Sequence, residues 1–420
     1  MKNVLPSTLY SQSGSRHWQD RFRRIDAVFQ DRFGRSAAVW CSAPGRTEIG
    51  GNHTDHNHGR VLAAAVQLDA VAAAGATSDQ VVSVVSAGYD APFVVRLDDL
   101  SPHPAESGTT TALIRGIAAR MKELNYSIGG FQAVVESEVA VGSGLSSSAA
   151  FEVLIGSLFN RLWNEGKMPA AVVAMVGQHA ENTFFGKPCG LMDQLASVSG
   201  GALQIDFKDP GNPDVLPVTL EPERSGYTLC VVQTGGSHSD LTADYAAIPQ
   251  EMRAVAGCFG KAFCRDLKRD QLLAEAARIR KTAGDRALLR ALHFVEENER
   301  VLLQAEALRS NDFERFLTLV RQSGDSSARL LQNSYPAANP REQGLSLGLA
   351  LGDLLLRAAG GGACRVHGGG FAGTFQAYVP RDFFGEFAST MSGVFGTGSV
   401  VPLHVRTHGA VTIDTGEFRF

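Results

Sequence analysis

Phe151, Leu154, Ile155, Leu158, Phe159 and Leu162 recur at i, i+3, i+4, i+7, i+8 and i+11. That spacing gathers six apolar side chains on one face of a helix, whereas a strand would scatter them over both faces. Just upstream, "FQAVVESEV" (131–139) is a β-branched run of strand type. Between the two lies "VGSGLSSSAA" (141–150), so a strand, a glycine-rich turn and an amphipathic helix follow in order. Gly142 and Gly144 let the backbone approach a ligand, the serines supply hydroxyls, and the helix N-terminus offers free N–H groups and the positive end of its dipole. These are the attributes of a phosphate cradle. The lysine of GxxxxGK[ST] is missing, which excludes that type of nucleotide loop. A serine-rich helix cap after a glycine turn would read the same way.

Other segments fill out a mixed pattern. "VVSVVS" (81–86), "ALQIDF" and "YTLCVVQTG" read as strands, as do "TFQAYV" and "VVPLHVRTHGAVTI" near the end. "AAVVAMVGQHAENTFF" reads as a helix stopped by "GKPCG", and "LMDQLASVSG" as a short one. The region up to about residue 330 is charged and helix-rich. At 420 residues the chain favours two domains, and the Pro/Gly-rich "KDPGNPDVLP" (208–217) marks a seam, giving domains at 1–212 and 213–420.

A net charge of -4 with both signs interspersed leaves no electrostatic footprint for nucleic acid or an anionic membrane, so a small molecule is the expected partner. The apolar stretch "VLAAAVQLDAVAAAGA" is broken by Gln67 and Asp69 and is shorter than a bilayer span. The first 18 residues carry no apolar run after the lysine, unlike a secretory signal. Six cysteines without CxxC spacing suit buried thiols in a reducing compartment, and the expected location is the cytoplasm.

Three further stretches carry polar chemistry. Glu181 and Asp193, in "HAENTFFGKPCGLMDQ", flank a tight turn, and two carboxylates beside a phosphate cradle suit a magnesium ligand plus a base. A solvated glutamate and an acid in a helix's first turn are the plain alternatives. "RVHGGGFAGTF" (365–375) has three consecutive glycines, which permit close packing against a ligand or simply a flexible turn. "GRTEIGGNHTDHNHGR" (45–60) crowds His53, Asp55, His56 and His58. As a metal site its ligands would all have to converge from one loop, and zinc sites draw on more widely spaced elements. As a polar pocket it offers Arg46, His53 and Asp55, the donors and acceptors that a sugar needs.

Taken together, these motifs resemble those of the GHMP small-molecule kinases, and within them the galactokinases. "APGRTEIGGNHTDHNHG" is similar to the signature PGRxNLIGEHTDYNxG, "VGSGLSSSAAFEV" to the family's phosphate loop, and "RVHGGGFAGTF" to its glycine-rich third motif. "ENTFFGKPCGLMDQLAS" is similar to the segment with the family's catalytic aspartate. The resemblance implies an α+β, two-domain GHMP kinase fold: an N-terminal domain with a left-handed βαβ unit and a C-terminal ferredoxin-like domain with extra helices. It implies an ATP-dependent sugar 1-kinase, a monomer, with D-galactose as substrate and with ATP and Mg²⁺ bound. Gly142, Ser143, Gly144, Leu145, Ser146, Ser147 and Ser148 would wrap the ATP phosphates, with Ser148 and Glu181 on the metal. Asp193 would be the base or orienting carboxylate, with Arg46 beside it. Asn52, His53, Asp55, Gly190 and Tyr245 would hold the sugar, and the glycines 368 to 370 would shape the floor between the two sites.

The chain departs from the family at Asn52, where the signature has Glu, and at His56, where it has Tyr. Smaller departures are Ala140 for Pro, His367 for Thr and Ala372 for Gly. In the family that Glu is expected to meet the C6 hydroxyl. Asn52 would not repel a carboxylate there, which opens an alternative: a C6-modified galactose relative such as galacturonate. A non-catalytic sugar-sensing regulator is a third reading, and the intact Ser147, Ser148, Glu181 and Asp193 argue against it.

Overall fold

The structure is a computed structural model that describes residues 1–10, 15–236 and 241–416. Its strands are β1 (Asn3–Val4), β2 (Val39–Gly50), β3 (Arg60–Ala76), β4 (Val81–Ser86), β5 (Phe93–Arg96), β6 (Phe131–Ser137), β7 (Ala202–Asp206) and β8 (Asp214–Val218). Then come β9 (Tyr227–Gln233), β10 (Ala363–Val366), β11 (Thr374–Pro380), β12 (Val400–Leu403) and β13 (Val411–Ile413). The first sheet has the order β1-β13-β2-β3-β6-β4-β5, with β7 and β8 branching from β3.

β3 organises that sheet. It pairs with β2 along its length, with β7 through Arg60–Ala64 and with β6 through Ala70–Ala76. Its alanines are buried on both faces, so small side chains leave room for helices to lie close. The two polar residues that interrupt its apolar run tie down the chain's ends. Asp69 accepts from Arg21 (2.6 Å), Tyr10 (2.8 Å) and Arg406 (2.8 Å), and Gln67 exchanges hydrogen bonds with Pro402 and His404.

The helix Ser147–Trp163 lies against β2 and β3 as its periodicity predicts, burying Leu154, Ile155, Leu158 and Phe159. Each such side chain stabilises the fold by on the order of 1.5–3 kcal/mol. The helical pattern of residues 170–185 is α-helical through His179 and then widens into a π-helix, Ala180–Phe185, which carries Glu181. Such widened turns are common at functional sites.

The second sheet has the order β10-β11-β9-β12 with all neighbours antiparallel. Numbered within the sheet this is 4-1-3-2 read from β12, and with the helices Gly344–Ala358 and Phe384–Phe395 it makes the βαββαβ ferredoxin-like arrangement. The helices Thr242–Gly257, Asp285–Arg309 and Phe313–Ser326 are additions to it. The seam expected at 208–217 needs correcting. Residues 208–213 turn the β7–β8 hairpin and β8 extends the first sheet, so the change of sheet comes after Val218. β13 also returns to the first sheet, so the C-terminus is shared between the layers. Ile49, Leu62, Val66 and Leu145 pack with Leu229, Val231, Val301 and Leu317 in one apolar core across the two sheets.

Candidate active site

The turn between β6 and the helix Ser147–Trp163 is shaped from within. Ser143 donates through Oγ to Ala140 O (2.6 Å), and Leu145 is buried with its carbonyl accepting from Arg46 N (3.0 Å). Gly144 has φ +75°, and a Cβ there would strike Thr374 and His367, so the loop lies directly on the third motif. Ser146, at φ +59°, opens the helix. The N–H groups of the next three residues have no carbonyl a turn earlier to bond, which leaves a dipole-backed cradle.

Asp193 stands in the first turn of the helix Met192–Ser199. Arg46, from β2, grips it with both prongs, Nε to Oδ1 at 2.6 Å and Nη2 to Oδ2 at 2.8 Å, while its Nη1 donates to Gly144 O at 2.6 Å. Ser146 Oγ donates to the same carboxylate. Burial would raise the Asp193 pKa, but Arg46, Ser146 and Lys187 outweigh it and hold the carboxyl below the usual range. The side chain is 29% exposed, so an ionised oxygen pair is available at the mouth of the loop.

Ser148 Oγ donates to Glu181 Oε1 at 3.1 Å, which joins the two oxygen groups expected on a metal. Two protein oxygens suit a magnesium ion that keeps waters and nucleotide phosphates as its other ligands. Beneath them Gln194 Nε2 bridges Glu181 and the buried Glu152. Burial, and next the Glu181 charge, push the Glu152 carboxyl well above the usual range.

The sugar-type loop begins as the last part of β2 rather than as a free loop. His53 (φ +57°) meets Gly369 O through Nε2 at 2.8 Å, and Tyr245 OH donates to Gly370 O at 3.1 Å. The two rings lie 6.4 Å apart. Burial, then the neighbouring His56, pushes the His53 pKa down to about 3, so the ring is neutral. Gly190 presses so closely on Asp55 that a side chain there would run into its carboxylate. Residues 237–240, "SHSD", which precede the helix of Tyr245, lie outside the described residues. The histidines do not converge: the His58 ring stacks on Phe263 at 3.8 Å, and His56 N donates to Asp55 Oδ1. Among the described residues no three His, Cys, Asp or Glu side chains gather as a metal cluster.

Asn52 requires a correction. It is 1% exposed, and its amide is saturated inside the protein. Nδ2 donates to Glu48 (2.9 Å) and Gly368 O (2.6 Å), while Oδ1 accepts from Asn333 (2.8 Å) and Ser327 (3.3 Å). All four hydrogen-bonding positions are taken, so none is left for a sugar hydroxyl. Set against PGRxNLIGEHTDYNxG, the chain has Glu48 at the signature's Asn and Asn52 at its Glu, so the two residue types have changed places. The carboxylate now faces Arg365 at 2.7 Å in the interior.

Several positioning residues escape sequence reasoning. His293 Nε2 meets Asn52 O (2.9 Å), Glu297 Oε1 accepts from Gly51 N (3.0 Å), and Asn298 Oδ1 accepts from Arg60 N (2.9 Å), all from the helix Asp285–Arg309. His367 Nε2 accepts from Glu48 N at 3.2 Å and lies 2.9 Å from Thr47 Oγ1. Its place in the third motif where a Thr is usual is the one signal that singled it out.

Family models of the galactokinase galactose-binding signature and of the GHMP kinases N terminal domain match residues 27–76 and 112–201. A galactokinase of Actinobacillus pleuropneumoniae serotype 5b is 31% identical over 355 residues, 84% of this chain and 88% of that protein. A galactokinase of Glaesserella parasuis serovar 5 is 30% identical over 357 residues, with the same shares. Among solved structures, Lactococcus lactis galactokinase complexed with galactose superposes with a TM-score of 0.80 at 22% identity, covering 93% of this chain and 99% of that one. Methanococcus jannaschii mevalonate kinase gives 0.62 at 14%, covering 88% and 99%. At these identities the structural likenesses speak for the fold.

Proposed function

The chain belongs to the galactokinase family of GHMP kinases, and on that premise we propose that it transfers the γ-phosphoryl group of ATP to the anomeric hydroxyl of D-galactose, giving galactose 1-phosphate. The observation that carries this is the Asp193 carboxylate, gripped by Arg46 and hydrogen-bonded by Ser146 at the mouth of the phosphate loop. Phosphoryl transfer needs mainly positioning and charge neutralisation. Asp193, held ionised, accepts the hydrogen bond of the attacking hydroxyl. As a weak base it takes the proton late, while the new O–P bond forms and the bond to the ADP leaving oxygen breaks. Arg46 keeps that carboxylate aimed and is itself pinned by Gly144 O. The loop 142–148 receives the phosphates on its helix N-terminus. Ser148 and Glu181 would hold Mg²⁺, which would supply positive charge to neutralise the transferring phosphoryl group. His53, Asp55, Gly190 and Tyr245 would line the sugar side.

We read the protein as a cytoplasmic monomer. All six cysteines are free thiols, and no helix among the described residues is long and apolar enough to cross a membrane. The departure from the signature at position 52 motivates a second reading, a C6-modified relative such as galacturonate, although Asn52 is spent on internal hydrogen bonds and the Glu48 carboxylate lies 2.9 Å from its amide. A coupled ADP assay over a sugar panel decides, and a higher kcat/KM for galactose than for galacturonate ends the second reading. Asp193→Asn should keep the fold and lower kcat by about a thousandfold or more. Near-wild-type turnover by that variant would remove Asp193 from the chemistry.

A further inference from the structure

The phosphate loop brings no lysine of its own, yet a lysine stands at its mouth from another element. Lys187, in the turn before Asp193, donates through Nζ to Glu181 Oε1 at 3.3 Å, the same oxygen that accepts from Ser148. Its backbone N–H is anchored to Glu181 O at 3.1 Å, and the turn is stitched down by Asn182 Oδ1 accepting from Cys189 N at 2.6 Å. The anchor is therefore fixed while the side chain, 64% exposed, is free to swing. Glu181 by contrast is 3% exposed. An ion pair with one partner in solvent adds little stability, so holding the fold does not account for it. Glu181 and Asp193 together outweigh burial and keep this ammonium charged, and it in turn helps keep Asp193 ionised. The ammonium therefore sits on the metal carboxylate, within electrostatic reach of the base.

A divalent cation on Ser148 and Glu181 needs the place that the ammonium now fills, because two cations do not share one carboxylate oxygen at such range without strong repulsion. Building on the kinase reading, we propose that Lys187 is a further catalytic residue: it neutralises Glu181 when no cation is bound, yields that oxygen to the metal, and turns its ammonium to the nucleotide phosphates. A flexible four-carbon stem bearing a point charge suits such a movement, and lysine is a common phosphate contact.

The test uses the whole protein without sugar. ATP binding is measured by calorimetry with saturating Mg²⁺, and Mn²⁺ binding to the nucleotide-free protein by electron paramagnetic resonance. Lys187→Met should weaken MgATP binding by about tenfold and tighten Mn²⁺ by a similar factor, while Lys187→Arg keeps MgATP affinity within about threefold. A folded Lys187→Met protein matching wild type in either measurement overturns the proposal and leaves the kinase reading intact. Wild-type protein that binds no ATP refutes the kinase reading itself, and this proposal with it.

Discussion

Asn52 shows how far a single residue can be read from its neighbours in sequence. Its type was legible as a departure from PGRxNLIGEHTDYNxG, but its role was not. Apart from Glu48, the partners that saturate it stand 275 to 316 residues away. Arg46 and Asp193 were legible because their chemistry is local to motifs, and the fold then joined them across 147 residues. The exchange between positions 48 and 52 has an energetic consequence. Asn52→Glu would set a second buried carboxylate against Glu48 and against the carbonyl of Gly368, with no added cation. Thermal and urea unfolding should show a loss of about 2–4 kcal/mol. Combined with Glu48→Asn, which restores the signature's order, the loss should shrink by at least about half, a coupling expected of contacting residues. A single variant as stable as wild type would mean that Asn52 is not the internal tie its hydrogen bonds describe.

Elements with a clear local signal were readable and those without one were not. The helix Ser147–Trp163 announced itself by period and the strand Phe131–Ser137 by its β-branched run. β3 did not, because a strand buried on both sides has no alternation, and its alanines have low strand preference. The helix Asp285–Arg309 was read only as part of a charged helical region. Two of its polar residues, His293 and Glu297, share a face at i and i+4 and bond the backbone of the sugar-type loop. Glu297 also pairs with Arg300 and accepts from Ser323 at 2.6 Å. Glu297→Gln would leave Arg300 poorly neutralised and could set an amide N–H against Gly51 N–H. The expected cost is about 2–4 kcal/mol, with the sugar KM raised about tenfold and the ATP KM within about twofold. Equal rises in both would place the effect on the whole fold rather than on the loop.

At the scale of the whole molecule, the seam between the two sheets is closed by apolar packing and by three buried histidines. His53 bonds the third-motif glycines, His367 bonds the end of β2, and His293 bonds Asn52 O. Burial pushes all three below the ordinary pKa of 6.5, His53 to about 3. A ring that stays neutral in the fold but takes a proton in the unfolded chain favours unfolding as pH falls. The stability it contributes is complete above 6.5 and drains away from there down toward 3. At pH 5 the loss from His53 alone is about 2 kcal/mol, and the other two add to it. Glu297, lowered to about 2 against burial by Arg300, loses its share only below about 4.5, whereas Glu152 and Glu48, pushed up by burial, gain stability as pH falls and offset part of the histidine loss. His404 works the other way through its bond to Glu223, but it is more than one-third exposed and is discounted. The melting temperature should therefore fall steadily between pH 6.5 and 5, and His53→Gln should flatten part of that slope even where it lowers stability at pH 7.5. Bound sugar, joining groups on both sides of this seam, should offset the fall. A His53→Gln protein whose melting temperature falls from pH 7.5 to 5 as steeply as that of the wild type would mean that this ring is not locked neutral, and the seam would have to be held without it.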